Sequence, residues 1–180
     1  MTRRPCRTFA LPRQCASAPA WTALIDKFRA FRLEALRTSP TAFTSSLERE
    51  QAFGRDVWEE RLRNPGATIV VAVEEGVETD AVDAALQSEW LGMAALIAAQ
   101  DGAAAWLNGV FVTPAARHRG VGSALLKGCL REGSALRAGL LYQVMVSADN
   151  VAAIKLYEKA GFVICDDESE SLRMERVAEC

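Results

Sequence analysis

The chain has 180 residues, half of them hydrophobic and 24% charged, with a formal net charge of −2. That balance suits one globular unit with a sizeable core and supplies no general field to attract nucleic acid. The longest apolar stretch, Leu91–Ala99, is too short to cross a bilayer, and five scattered cysteines with one histidine, His118, fit neither a disulfide framework nor a zinc site. A cytoplasmic protein with no metal, membrane or nucleic-acid partner is expected. Cys129 and Cys165 lie in apolar runs and read as buried reduced thiols.

Met1–Ala20 carries Arg3, Arg4, Arg7 and Arg13 without an acidic residue and without a signal peptide's apolar centre, so it reads as a frayed or strand-forming terminus. Trp21–Arg37 has helical spacing through Leu24, Phe28, Phe31 (or Arg32) and Ala35, and Ser39-Pro40 ends it. Thr41–Asn64, polar with apolar anchors at Phe43, Leu47, Phe53, Trp58 and Leu62, predicts one or two further helices before the Asn64-Pro65-Gly66 turn. Thr68–Val73 is a β-branched run and predicts a strand. Glu74–Ser88, acidic and rich in small residues, predicts an exposed hairpin loop. Trp90–Ala99 and Ala104–Val112 predict two strands joined at Gln100-Asp101-Gly102, and Pro114 stops the second. Gly122–Arg137 is helical with Gly139 as its stop, and Leu140–Val146 is a strand. Asn150 caps a helix over Val151–Ala160 that Gly161 ends. Phe162–Cys165 and Ser171–Val177 predict a last strand pair around an acidic turn. Helices, three strands, helix, strand, helix and two strands make an α/β fold with a mixed sheet and a right-handed βαβ crossover.

The candidate site begins at the loop Arg117-His118-Arg119-Gly120-Val121-Gly122-Ser123, which joins a strand to a helix. Gly120 and Gly122 permit a tight turn and close approach of an anion. The new helix presents unpaired amides and the positive end of its dipole, and Arg117 and Arg119 add charge. Arg117-x-x-Gly120-x-Gly122 is neither the dinucleotide fingerprint nor a P-loop. Taken alone it is equally a glycine-rich strand-to-helix turn.

One strand later comes Asn150-x-x-Ala153-x-x-Leu156-Tyr157-x-x-x-Gly161-Phe162. In this order and spacing the two motifs resemble the GNAT superfamily of N-acetyltransferases. The resemblance covers Ala104 to Phe162 and extends more loosely to Arg32-Leu33-x-Ala35-Leu36-x-x-Ser39-Pro40-x-Ala42-Phe43. It implies a single domain over residues 1–180, with a mixed, mostly antiparallel sheet of about six to seven strands flanked by about four helices. It implies acetyl-CoA as co-substrate and a small-molecule or peptide amine as acceptor. A homodimer is compatible with it.

Carried over residue by residue, the resemblance implies that the backbone of Val110, Phe111 and Val112 pairs with the pantetheine arm. The amides of His118, Arg119, Gly120, Val121, Gly122 and Ser123 would hold the pyrophosphate, with Arg117 at the loop's start and Asn150 near the coenzyme. His118 stands where many members have glycine, and its side chain reads as an exposed loop histidine. Tyr157 would protonate the leaving thiolate after direct attack of a neutral amine, with an amide near Asn108–Val110 stabilising the oxyanion. Trp106–Gly109 and Val144–Val146 offer no carboxylate as base. Glu34, Glu48 and Glu50 are the remaining candidates, each read more readily as a solvated helix-face charge, and a base acting through a water chain is the alternative, so no base is assigned. Met145 stands where the branch acetylating protein N-termini keeps a glutamate, which argues against that activity. A non-catalytic acyl-CoA sensor on the same fold is the other reading.

Overall fold

In the computed structural model, which describes residues 5–76, 80–100, 102–168 and 170–177, the β-branched run is the hydrogen-bonded middle of one half of a sheet. In chain order the elements are β1 (Cys6–Ala10), α1 (Ala18–Thr38), α2 (Leu47–Gln51), α3 (Arg55–Arg63), β2 (Ala67–Glu74), α4 (Ala81–Gln87), β3 (Trp90–Ala98), β4 (Ala104–Val112), α5 (Val121–Leu136), β5 (Leu141–Ser147), α6 (Val151–Lys159), β6 (Val163–Glu168) and β7 (Ser171–Val177). The seven strands form one sheet in the order β1-β2-β3-β4-β5-β7-β6. Among the described residues only β4 and β5 run parallel. Their connection through α5 is the βαβ unit that the alternation of element types predicts.

Strand alternation divides the core between the two faces. Val70 and Ala72 join Leu125, Leu126 and Cys129 of α5 on one face. Ile69, Val71 and Val73 join Leu24 and Phe28 of α1 and Trp58 and Leu62 of α3 on the other. Complete burial of a side chain such as Leu24 or Leu125 contributes about 1.5–3 kcal/mol, so these two apolar layers fix which face each helix covers. The helix ends follow local chemistry. Ser17 Oγ accepts from the Ala20 amide at 3.4 Å, and Asn150 Oδ1 accepts from the Ala153 amide at 3.2 Å.

Several expectations are corrected. Glu74–Ser88 is not wholly an exposed loop: Asp80 caps α4, whose Ala84 and Ala85 are buried, and the Trp90 indole donates to the Ala85 carbonyl at 2.9 Å. Alanine carries little hydropathic signal, yet its small size lets α4 pack against α1, whose Lys27 donates to the Leu86 carbonyl at 3.1 Å. Residues 77–79 of that segment and Asp101 of the hairpin cue lie outside the described residues. Cys165 is exposed, because β6 is the last strand of the sheet and its ladder to β7 slips between Ile164 and Asp166. Of the two readings of the N-terminal segment, frayed or strand-forming, Cys6–Ala10 follows the second as edge strand β1, paired from Cys6–Glu74 to Ala10–Val70, with residues 1–4 outside the description. Among the described residues there are six α-helices where about four were expected, two of them having seven residues or fewer. Among the described residues no helix is long and apolar enough to cross a membrane.

Candidate active site

The parallel pair β4–β5 is short. Ala104, Ala105 and Trp106 pair with Leu141, Tyr142 and Gln143. Beyond these pairs β4 stays with β3 and β5 with β7. The strands part, and Leu107–Val110 and Val144–Ser147 line the gap, a cavity of about 650 Å³. It passes through the sheet: Asn150, Ala153 and Tyr157 of the α6 segment line it together with Phe28 and Arg32 of α1. The β4 wall is bulged. Met93 faces Phe111 while Ala95 faces Asn108, so Ala94 lies opposite both Gly109 and Val110. Gly109 takes the extra residue at φ +61°, a left-handed backbone that glycine adopts without a side-chain clash.

Along β4, Val110 in the cavity wall is two residues from Val112, about 7 Å of strand. Past Val112 come a 3-10 turn at Pro114–Ala116 and the glycine-containing loop. His118 at φ +59° and Gly120 at φ +85° reverse the chain there, and α5 starts at Val121 with no side-chain cap. His118 thus occupies the left-handed conformation for which glycine is the usual solution, and it is exposed. Ala124 makes the first helical bond, to Gly120 O at 3.0 Å, leaving the amides of Val121, Gly122 and Ser123 as first-turn donors. A Cβ on Gly122 would lie 3.1 Å from Leu156 Cδ2, so glycine lets α5 and α6 meet beside Val112. Open helical amides at the end of a strand that walls a through-sheet gap fit an elongated ligand with an anionic end.

The two loop arginines are not held toward those amides. Arg117 donates from Nε to the Val112 carbonyl and from Nη2 to Ser39 Oγ, each at 3.2 Å. Arg119 pairs with Glu74 at 2.9 Å. Both therefore brace the loop against its neighbours. Tyr157 is 5% exposed and stacks edge-on against Phe162 at 5.7 Å. Burial, with a smaller contribution from Cys129, raises its pKa, so the hydroxyl holds its proton throughout the neutral range.

Of the three candidate bases, Glu34 is tied to Arg37 and Thr38 on the surface, and Glu48 is exposed. Glu50 is buried and lines the cavity. It is no solvated charge: Arg32 binds it through Nε at 3.1 Å and Nη2 at 2.7 Å, and Arg61 binds it at 2.8 Å. Burial alone would raise the Glu50 pKa, but the two guanidiniums outweigh it and lower it to about 2. A carboxylate held so firmly ionised is a poor proton acceptor at neutral pH. Sequence reasoning missed the pairing, although Arg32, four residues after Phe28, falls on the buried face of α1 and so needs a counter-charge.

The model of the acetyltransferase (GNAT) family matches residues 31–162. The chain belongs to that family. No curated protein matches it significantly. Among solved structures, a GNAT-family acetyltransferase from Streptococcus pneumoniae superposes with a TM-score of 0.65 at 14% identity, over 97% of this chain and 100% of that one. Spermidine N-acetyltransferase from Vibrio cholerae, in complex with CoA and spermine, gives 0.62 at 14% identity over 96% and 95%. PaiA N-acetyltransferase from Thermoplasma acidophilum, in complex with coenzyme A, gives 0.59 at 16% identity over 96% and 99%. These likenesses establish the GNAT fold. The parted strands, the bulge and the uncapped helix are thus features of a family acetyltransferase.

Proposed function

We propose that this chain is an N-acetyltransferase that moves an acetyl group from acetyl-CoA to a primary amine of a small molecule or peptide by direct attack. The observation that carries this is the through-sheet cavity, with the bulged backbone at Gly109 and the buried Tyr157 both in its wall. The coenzyme, when bound, supplies the acyl thioester. Backbone groups of Val110 to Val112 orient its arm, and the amides of His118 to Ser123 hold its pyrophosphate. Arg117 and Arg119 shape that loop through Val112, Ser39 and Glu74. Asn150 borders the arm and caps α6. An amide at Asn108–Val110 donates to the carbonyl oxygen as charge builds there, and Tyr157 gives its proton to the departing thiolate.

Glu50 is the one carboxylate among the described residues lining the cavity, and its arginine pairing favours loss of the amine proton to solvent rather than to a side chain. The same observation supports a second reading, a coenzyme-binding sensor without turnover. Thiol release with a panel of amines separates the two.

Thermal unfolding with acetyl-CoA tests the shared premise. At a hundredfold excess over Kd the coenzyme adds about 2.7 kcal/mol to the native state, a rise of roughly 5–10 °C for a domain of this size. An unchanged melting temperature at millimolar acetyl-CoA would sink both readings.

A further inference from the structure

Charge on the cavity wall is strongly one-sided. Its charged lining residues are Arg32, Arg49 and Arg61 against Glu50 alone, among the described residues. Glu50 is saturated, since its two oxygens already accept four hydrogen bonds from Arg32 and Arg61. Arg32 is not saturated. Its Nε and Nη2 hold Glu50 and its plane stacks 4.6 Å from the Phe43 ring, which together fix the guanidinium. The remaining nitrogen, Nη1, donates to no described residue, and it is not among the sealed unpaired atoms. It also lies 3.4 Å from the point where a Cβ on Gly109 would stand, beside the bulge. Fixed, unpaired and next to the bulged strand, this donor pair is oriented to receive an anion.

We infer that the acceptor carries a carboxylate a few bonds from its reacting amine, as an amino acid does, and that Arg32 binds that carboxylate. The inference rests on the acetyltransferase reading above and names its acceptor class. Arg61, stacked on Phe53 and Trp58, and Arg49 at the exposed side of the cavity extend the same positive wall. Glu50 acts as a positioning residue that aims Arg32. A polyamine would bring two or more positive charges against this wall, and its one carboxylate is already occupied. The acceptor class therefore differs from the spermine bound by the Vibrio cholerae relative.

The test uses the full chain with acetyl-CoA, the standard amino acids, their carboxamides, and spermidine, followed by thiol release. Free acids should exceed the matching carboxamides and spermidine in kcat/KM by on the order of tenfold to a hundredfold, the range of one charge-assisted contact. Arg32→Gln should raise KM for the acids by a similar factor and leave the carboxamides within about twofold. Because R32Q leaves Glu50 with Arg61 alone, R32Q/E50Q repeats the measurement without the stranded charge. Equal or better turnover of carboxamides or spermidine overturns the inference. So does an acid preference that survives both variants, or an equal loss for all acceptors. If no amine is turned over, the acetyltransferase reading fails, and calorimetry with CoA and N-acetyl amino acids still decides the carboxylate site. Tighter binding than the N-acetyl carboxamides, lost in R32Q, supports it; equal binding overturns it.

Discussion

Tyr157 was legible from its motif because a tyrosine seven residues after an N-cap lies two helical turns on, toward the same side. The cavity that it lines was not legible, because that depends on how far β5 parts from β4. Replacing Tyr157 with Phe should lower kcat by about a hundredfold or more while leaving acetyl-CoA affinity nearly constant, read by steady-state kinetics and calorimetry. Unchanged turnover would remove Tyr157 as the acid. Glu50 behaves differently, since its importance is electrostatic and arises from two arginines distant in sequence. Its folded pKa of about 2 lies below the ordinary 4.5, so its contribution to stability is complete above pH 4.5 and fades as pH falls toward 2. Glu50→Gln should cost roughly 1–3 kcal/mol at neutral pH, because it removes the charge-assisted bonds that hold the part-buried guanidiniums of Arg32 and Arg61. Denaturant unfolding should show that gap narrowing from pH 4.5 downward. A pH-independent gap would mean that the carboxylate charge does not hold the cluster.

Elements with strong local signals matched the sequence expectation within a few residues. The α1 helix, expected over Trp21–Arg37, spans Ala18–Thr38, and α6 starts after its asparagine cap as expected. Helix α4 escaped because five of its seven residues, Ala81, Asp83, Ala84, Ala85 and Gln87, are small or polar, which leaves too few large apolar side chains to show a helical period although alanine itself favours a helix. What makes it a helix is the Asp80 cap and the buried contact of Ala84 and Ala85. The phosphate loop gives the clearest element-scale prediction. A Cβ on Gly120 would meet nothing within 4 Å, so Gly120→Ala tests backbone conformation alone. At φ +85° it should cost about 1–2 kcal/mol in denaturant unfolding and weaken acetyl-CoA binding as the first-turn amides shift. Full stability and affinity in that variant would mean that the left-handed turn does not shape the coenzyme site.

The whole sheet is two blocks, β1 to β4 and β5 with β7 and β6, joined by three paired positions in β4 and β5. Cys129 lies on the core-facing side of α5, where burial raises its thiol pKa to about 12. It should resist alkylation until the core opens, while the exposed Cys165 reacts at once; mass spectrometry of labelled peptides reads both. Saturating acetyl-CoA should slow labelling at Cys129 by the factor that its stabilisation predicts. Rapid labelling of Cys129 in the native state would contradict a closed core on the α5 face. The sequence by itself determined the order of elements apart from β1 and α4, the strand-to-helix loop at Arg117–Ser123 and the Asn150–Phe162 motif, because periodicity, caps and glycines act within a few residues. Only the tertiary structure decided where β4 and β5 part, which carboxylate is buried and what charge lines the cavity between them. Those depend on contacts such as Arg32 with Glu50 and Arg61, and no local pattern encodes them.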